Sequence, residues 1–237
     1  KPTADHKDIK AQLNPGLDTR VIIPTLTGND RESGTELIYK IESLPTFGTL
    51  YYDGVKIEKP NFIIEERDKL SLDPDDGDKV LLFTYSTTDH AGVTSDPARV
   101  EMRFKGLSIS GHLFNDGNGD TKVKGEILYN PSDTPLYVTL LDENASVLAS
   151  KVLRKDGTYT FSSEDGVRPN AYYQIVLSTK ENAKTSLLPE EWANSGEVIN
   201  AEGESKDLTA DGIVTVPVLE KDVVNVEFDF IGRYIKS

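Results

Sequence analysis

The sequence predicts an all-β protein of two tandem β-sandwich domains joined by a very short linker. Three observations predict it. Apolar residues recur at alternate positions over short runs, and turn residues interrupt them every 8–12 positions, the pattern of β-sandwiches. Valine, isoleucine, threonine and tyrosine are prominent, and no stretch carries the apolar period of an amphipathic helix. The 237 residues are enough for two domains that each bury a core.

Taken in order, residues 1–17 are polar, contain Asn14-Pro15-Gly16, and read as a lead-in. Thr19–Pro24 is a short apolar strand, and Leu26-Thr27-Gly28-Asn29-Asp30 a loop. Leu37–Ser43 alternates well, and Pro45-Thr46-Phe47-Gly48 turns the chain into Thr49–Tyr52. Asp53-Gly54 then signals a hairpin. Phe62–Ile64 and Leu70–Leu72 follow as short strands, and Asp73-Pro74-Asp75-Asp76-Gly77-Asp78 as an acidic loop. Val80–Thr87 and Ala98–Phe104 close the first domain, with Asp89-His90-Ala91-Gly92 as the turn between them. The first domain is thus assigned to residues 1–104.

The second domain, residues 105–237, restarts at Leu107. Its expected strands are Leu107–Phe114, Leu136–Leu141, Val147–Leu153, Thr158–Ser162, Tyr172–Ser178, Ile213–Val218 and Val223–Phe230, with turns at Asp156-Gly157 and Asp165-Gly166. Residues 179–211 are polar and irregular, with a short helix expected at Pro189–Trp192. Trp192, the sole tryptophan, is expected as a core or loop anchor rather than a sugar platform. Lys105-Gly106 alone links the domains, which predicts a stiff tandem pair.

Charge and composition exclude several function classes. Residues 1–104 hold 13 basic and 19 acidic residues, and residues 105–237 hold 13 and 21, so the net charge of −14 is spread along the chain. Such a field repels nucleic acid and anionic membrane and attracts cations. With no cysteine there is no disulfide or thiolate site. No apolar run approaches the ~18 residues of a spanning helix. The first residues are not a signal peptide, and the ending at Arg233–Ser237 reads as the edge of a fragment.

The first half resembles the cadherin-like and Ig-like repeats of large bacterial surface proteins. The residues that carry this are Thr27-Gly28-Asn29-Asp30, Leu37–Ile41, Pro45–Leu50, Phe83-Thr84-Tyr85 and Thr88–Gly92. The second half resembles the repeats of Bacteroidetes gliding-motility adhesins of the SprB type, and more loosely the prealbumin-like B repeats of Gram-positive surface proteins. Gly111–Asp120, Leu136–Asp142, Asp156–Phe161, Tyr173–Thr179, Leu188–Glu197 and Val224–Phe228 carry that likeness. The resemblance implies an outer-membrane-associated surface protein, exported by type IX secretion and built as a filament of tandem β-modules. Its partners would be neighbouring repeats of the same chain, and surface polysaccharide or other cells.

Calcium is the cofactor the residues point to. Asp116, Asn118 and Asp120 stand at alternate positions in a tight glycine loop, where three side-chain oxygens can face one point. Thr121 and Ile127 replace the glycine and glutamate of an EF-hand, and an ordinary Asx turn is the alternative. Asp75, Asp76 and Asp78 form a weaker candidate, stiffened by Pro74. The Asp30-Arg31-Glu32-Ser33 stretch lacks the acidic run the cadherin-like family carries there. Tyr52 and Tyr172 are candidate ligand-binding aromatics, because one member of each adjacent Tyr-Tyr pair faces outward on a strand. His6, His90 and His112 are scattered, no serine has a nucleophile-elbow context, and no His-x-x-x-His pair offers a zinc site. The expected function is therefore a non-catalytic rod segment, with a carbohydrate- or host-binding module as the alternative.

Overall fold

In a computed structural model the chain is described at residues 1–16, 18–115, 127–128, 134–199, 205–206, 209–218 and 220–232. It is all-β, with 3-10 turns as the only helical segments among the described residues. Two compact units divide it, Lys1–Gly106 and Leu107–Ser237, so the junction falls two residues later than the sequence pattern places it. The shift follows from Lys105 pairing with Leu13 as the last residue of its strand.

The first unit contains β1 (Thr3–Ala4), β2 (Lys7–Leu13), β3 (Val21–Ile22), β4 (Gly28–Asn29), β5 (Ile38–Ser43), β6 (Gly48–Tyr52), β7 (Val55–Lys56), β8 (Phe62–Ile64), β9 (Leu70–Pro74), β10 (Lys79–Thr88) and β11 (Ala98–Lys105). One sheet runs β2-β11-β10-β5-β8 and a second β3-β9-β6-β7, with β1 and β4 as a small ribbon. Strand β11 shows the logic: Ala98, Val100, Met102 and Phe104 point in and are buried, while Arg99, Glu101 and Arg103 point out. They meet Leu81, Phe83 and Tyr85 of β10 and Leu50, Leu70 and Leu72 of the second sheet in one core. Asp53 (φ 48°) and Gly54 (φ 81°) both take positive φ, the demand of a tight hairpin turn between β6 and β7.

Residues 1–17 are not a lead-in. Lys7–Leu13 is a full edge strand, paired in parallel with β11 from Val100↔Lys7 to Lys105↔Leu13. An edge strand buries little of itself, so its sequence stays polar and its strand character is hidden.

The second unit contains β12 (Ser108–Asn115), β13 (Ile127–Leu128), β14 (Tyr137–Leu141), β15 (Val147–Val152), β16 (Thr158–Ser162), β17 (Ala171–Ser178), β18 (Trp192–Ile199), β19 (Ser205–Lys206), β20 (Ile213–Val218) and β21 (Val223–Gly232). One sheet runs β13-β12-β21-β18-β19 with β16 also on β12, and the other runs β15-β14-β17-β20. Buried Leu113, Phe161, Phe228 and Phe230 of the first sheet and Val138, Leu140, Ile175 and Val216 of the second supply its core. Tyr173 donates its hydroxyl to Gly166 O (2.9 Å) and accepts the Arg168 N–H (2.8 Å), a tyrosine corner that fixes the turn before β17.

Pro189–Trp192 is not a helix. Trp192 N–H bonds Pro189 O (3.1 Å) in a single turn, and Trp192 opens strand β18 inside the stretch read as irregular. A bulge between Asn194 and Gly196 breaks the period of two that would have marked the strand. Trp192 stacks on buried Phe230 at 3.8 Å and 5°, so it anchors the sheet as expected.

Candidate functional surfaces

The terminal strands are where sequence, packing and mechanics meet. In both units the first long strand lies parallel to the last. β2 pairs with β11, and β12 pairs with β21 from Ile109↔Val223 to Asn115↔Phe230. Side chains fasten the first pair. Arg99 N–H donates to His6 Nδ1 (2.9 Å), and the Arg99 guanidinium pairs with Asp8 (3.2 Å). Just past β2, buried Asn14 donates to Asp75 O (2.8 Å) and Gly77 O (2.9 Å) and accepts Gly16 N–H (3.0 Å).

Two buried tyrosines hold backbone at or just before these strands. The Tyr85 hydroxyl lies 2.7 Å from both Asp5 O and Thr27 O and accepts from Asp5 N–H (3.2 Å) and Thr27 N–H (3.3 Å). Burial pushes its pKa up to about 12. Tyr159 of β16 donates to Val226 O of β21 (2.7 Å), and burial, reinforced by the Glu227 carboxylate, holds that phenol well above its ordinary value. Neither role is visible in the sequence alone. For the second, the mid-strand glycine Gly111 marks a close approach without naming what approaches. A Cβ there would sit 1.7 Å from Val226 O and 2.8 Å from the Tyr159 hydroxyl.

The expected site residues fall elsewhere. Asp116, Asn118 and Asp120 lie outside the described residues. Asp78 spends a carboxylate oxygen on Gly106 N–H (2.8 Å), and Asp75 and Asp78 are exposed. Burial, and then the carboxylates of Asp18, Asp76 and Asp75, raise the neighbouring Asp73 above the usual carboxylate value. Among the described residues no three His, Asp or Glu side chains converge as a metal-holding group. The three histidines stay apart: His6 is on Arg99, His112 Nδ1 lies 3.8 Å from Glu227, and His90 is exposed in its turn.

Tyr52 is a correction. It packs against the core, tilted on Phe62 at 5.4 Å, and its hydroxyl accepts Glu66 N–H (3.1 Å). Its outward neighbour is Tyr51, covered by the Arg20 guanidinium at 3.8 Å. The pleat forces one tyrosine of the pair inward, and the core took Tyr52. Tyr172 does face out, 57% exposed, beside exposed Pro217 on β20. The part of that sheet face around Thr139 is covered by the loop after β17, which bonds Asn182 N–H to Ser150 Oγ (3.0 Å) and bridges Leu187 to Ser178. That loop accounts for the complete burial of Thr139 there.

No helix among the described residues is long and apolar enough to cross a membrane. No protein-family model matches the chain, and no curated protein matches it. Among solved structures it is similar to the major pilin subunit BcpA of Bacillus cereus, at 12% identity over 96% of this chain and 70% of that one, TM-score 0.45. It is also similar to a bacterial adhesin from Mobiluncus mulieris containing intramolecular disulfide, isopeptide and ester bond cross-links, at 9% identity over 99% and 98%, TM-score 0.39. A backbone pilin of Streptococcus pyogenes gives 9% identity over 97% and 69%, TM-score 0.40. At these scores and identities the similarities carry no function to this chain.

Proposed function

We propose that this chain is a non-catalytic, tension-bearing segment of a large secreted bacterial surface protein, an adhesin-type filament whose modules pass force between neighbouring repeats. The observation that carries this reading is the parallel pairing of the first long strand with the last in both units. When two such strands are parallel, the entering and leaving ends of the chain point to opposite ends of the pair. Tension then runs along the strands and loads the ladder of hydrogen bonds together, not one at a time. The bonds of a parallel ladder are evenly spaced, which spreads that load.

The chain has no cysteine, so paired cysteine handles can be introduced at chosen points. The test is single-molecule pulling of the full chain through its two ends, compared with pulling of the second unit through handles at Leu148 and Thr215. Those two are exposed and nearly level on β15 and β20, the two edges of one sheet, where Val147, Leu141, Gln174 and Thr215 stand in register, so force between them runs across the strands and peels the sheet. The reading expects a higher unfolding force through the ends. Equal forces in the two directions would sink it.

The finer assignment, a gliding-motility filament exported by type IX secretion and stiffened by calcium at Asp116, Asn118 and Asp120, is supported by motif resemblance and ligand spacing. A second reading, a carbohydrate-binding module, is favoured by exposed Tyr172 beside Pro217. A glycan array with micromolar binding lost on Tyr172→Ala would favour it over the mechanical role.

A further inference from the structure

Strand β12 has β16 on one side and β21 on the other, with Gly111 opposite Tyr159 on the first and Val226 on the second. Tyr159 is buried, and its hydroxyl bonds Val226 O at 2.7 Å. A phenol on one outer strand therefore reaches the backbone of the other, across the middle strand. It can do so only where the middle strand has no side chain, and Gly111 is that place. Val226 is held at a register shift in the β12–β21 pair, next to Asn225 with φ 56°, which brings its carbonyl under the hydroxyl.

The first unit repeats the device with other residues. Tyr85 projects from the interior strand β10, and its hydroxyl grips Asp5, two residues before the first β2–β11 pair at Lys7. It also holds Thr27, which receives Asp5 N–H at 3.0 Å. The chain entering the unit is thus tied to an interior strand before it reaches the ladder.

We propose that these two phenols are mechanical locks: Tyr159 straps the first strand of the second unit between its neighbours, and Tyr85 pins the entry to the first. The proposal deepens the tension-bearing reading and rests on it. Under tension along the strands, β12 can slide past β21 only after the Tyr159 strap opens. β2 can be drawn off β11 from its leading end only after Asp5 leaves Tyr85. Both are positioning residues that act through the backbone, and each serves only loads that pass through the terminal strands.

The experiment pulls the full chain with Tyr159→Phe and Tyr85→Phe, changes that keep each ring and remove one hydroxyl. Through the chain ends, each variant is expected to unfold its own unit about tenfold faster at a given load. That factor corresponds to about 1.4 kcal/mol for one hydrogen bond lost from the native state and absent from the transition state. Through the Leu148 and Thr215 handles, Tyr159→Phe is expected to leave the rate within about twofold of the parent, because that path does not shear β12. An equal acceleration along both paths would overturn the proposal and make the hydroxyl a general stabiliser. No acceleration along either path would overturn it too. If Tyr159→Phe does not fold, Tyr85→Phe still decides the question: its unit must weaken under end-to-end load while the second unit keeps its parent force. Failure of the tension-bearing reading is separate, since it shows in the parent protein as equal forces along the two paths before any variant is made.

Discussion

Replacing Gly111 with alanine is expected to be among the most damaging small changes the second unit can suffer. A Cβ at that position would lie 1.7 Å from Val226 O, 2.6 Å from Val226 C and 2.8 Å from the Tyr159 hydroxyl. Two of those three atoms are backbone and cannot rotate away. Relief requires β12 to part from β21, its parallel partner in the sheet. Overpacking of this kind typically costs about 1–3 kcal/mol. Parting the strands also breaks the Tyr159–Val226 bond and leaves a buried hydroxyl and carbonyl without each other, about 1–3 kcal/mol more. The expected loss is therefore roughly 2–6 kcal/mol. Urea unfolding followed by tryptophan fluorescence measures it cleanly, because Trp192 is the sole tryptophan and stacks on Phe230 in this unit. With a slope of about 1–3 kcal/mol/M the midpoint should fall by about 0.7 M or more. A fall below about 0.5 M at unchanged slope would refute the account of Gly111 as a bare crossing point.

The remaining predictions concern other parts of the molecule. Tyr85 has a folded-state pKa raised to about 12 against an unfolded value near 10. Its stabilising effect is therefore whole below pH ~10 and is lost as pH climbs through 10 towards 12. Alkaline unfolding of the first unit, followed by circular dichroism, should lose that pH dependence in Tyr85→Phe. Asn14→Ala removes three hydrogen bonds from a buried side chain and strands two carbonyls, so thermal unfolding should show a loss of about 2–4 kcal/mol. A melt in millimolar calcium against excess chelator should rise by several degrees, and the rise should vanish in Asp116→Ala; a bound ion at 100 times its Kd adds about 2.7 kcal/mol. Tyr172→Ala, on an exposed face, should change stability by less than about 0.5 kcal/mol, so any loss of glycan binding in that variant reads directly on recognition.

The sequence was most legible where strands are bounded by turn chemistry and buried on one face. Thr158–Ser162 follows Asp156-Gly157, where Asp156 accepts Thr158 N–H at 3.0 Å, and its observed limits match the expected ones. Ile213–Val218 follows Gly212, at φ 74°, and matches as well. Legibility failed where a strand does not alternate. β2 is an edge strand with a polar exposure pattern, and β18 carries a bulge that shifts its inward set by one residue. The candidate functional features were harder still. The pairing of β2 with β11 joins residues some ninety positions apart, and the Tyr159–Val226 bond spans 67. No local pattern encodes either. Of the Tyr51-Tyr52 pair, the alternation showed that one tyrosine faces outward but not which, because that choice belongs to Phe62 and Glu66, outside the strand itself.

Equilibrium stability and resistance to tension need not reside in the same residues here. The core residues Leu140 and Ile175 belong to strands β14 and β17, which lie away from the pair that end-to-end load would shear. Forced unfolding is governed by the unfolding rate, which responds to interactions broken on the way to the transition state. Interactions that break only after that point add to the equilibrium stability and not to the force. A module built for tension can therefore concentrate its resistance in a few hydrogen bonds between its first and last strands, and leave the rest of the sandwich free to vary. The buried phenols add bonds at that place without a thiol or any other covalent partner. Their hydrogen bonds re-form when the strands return, so a segment that yields under load can recover its parent strength.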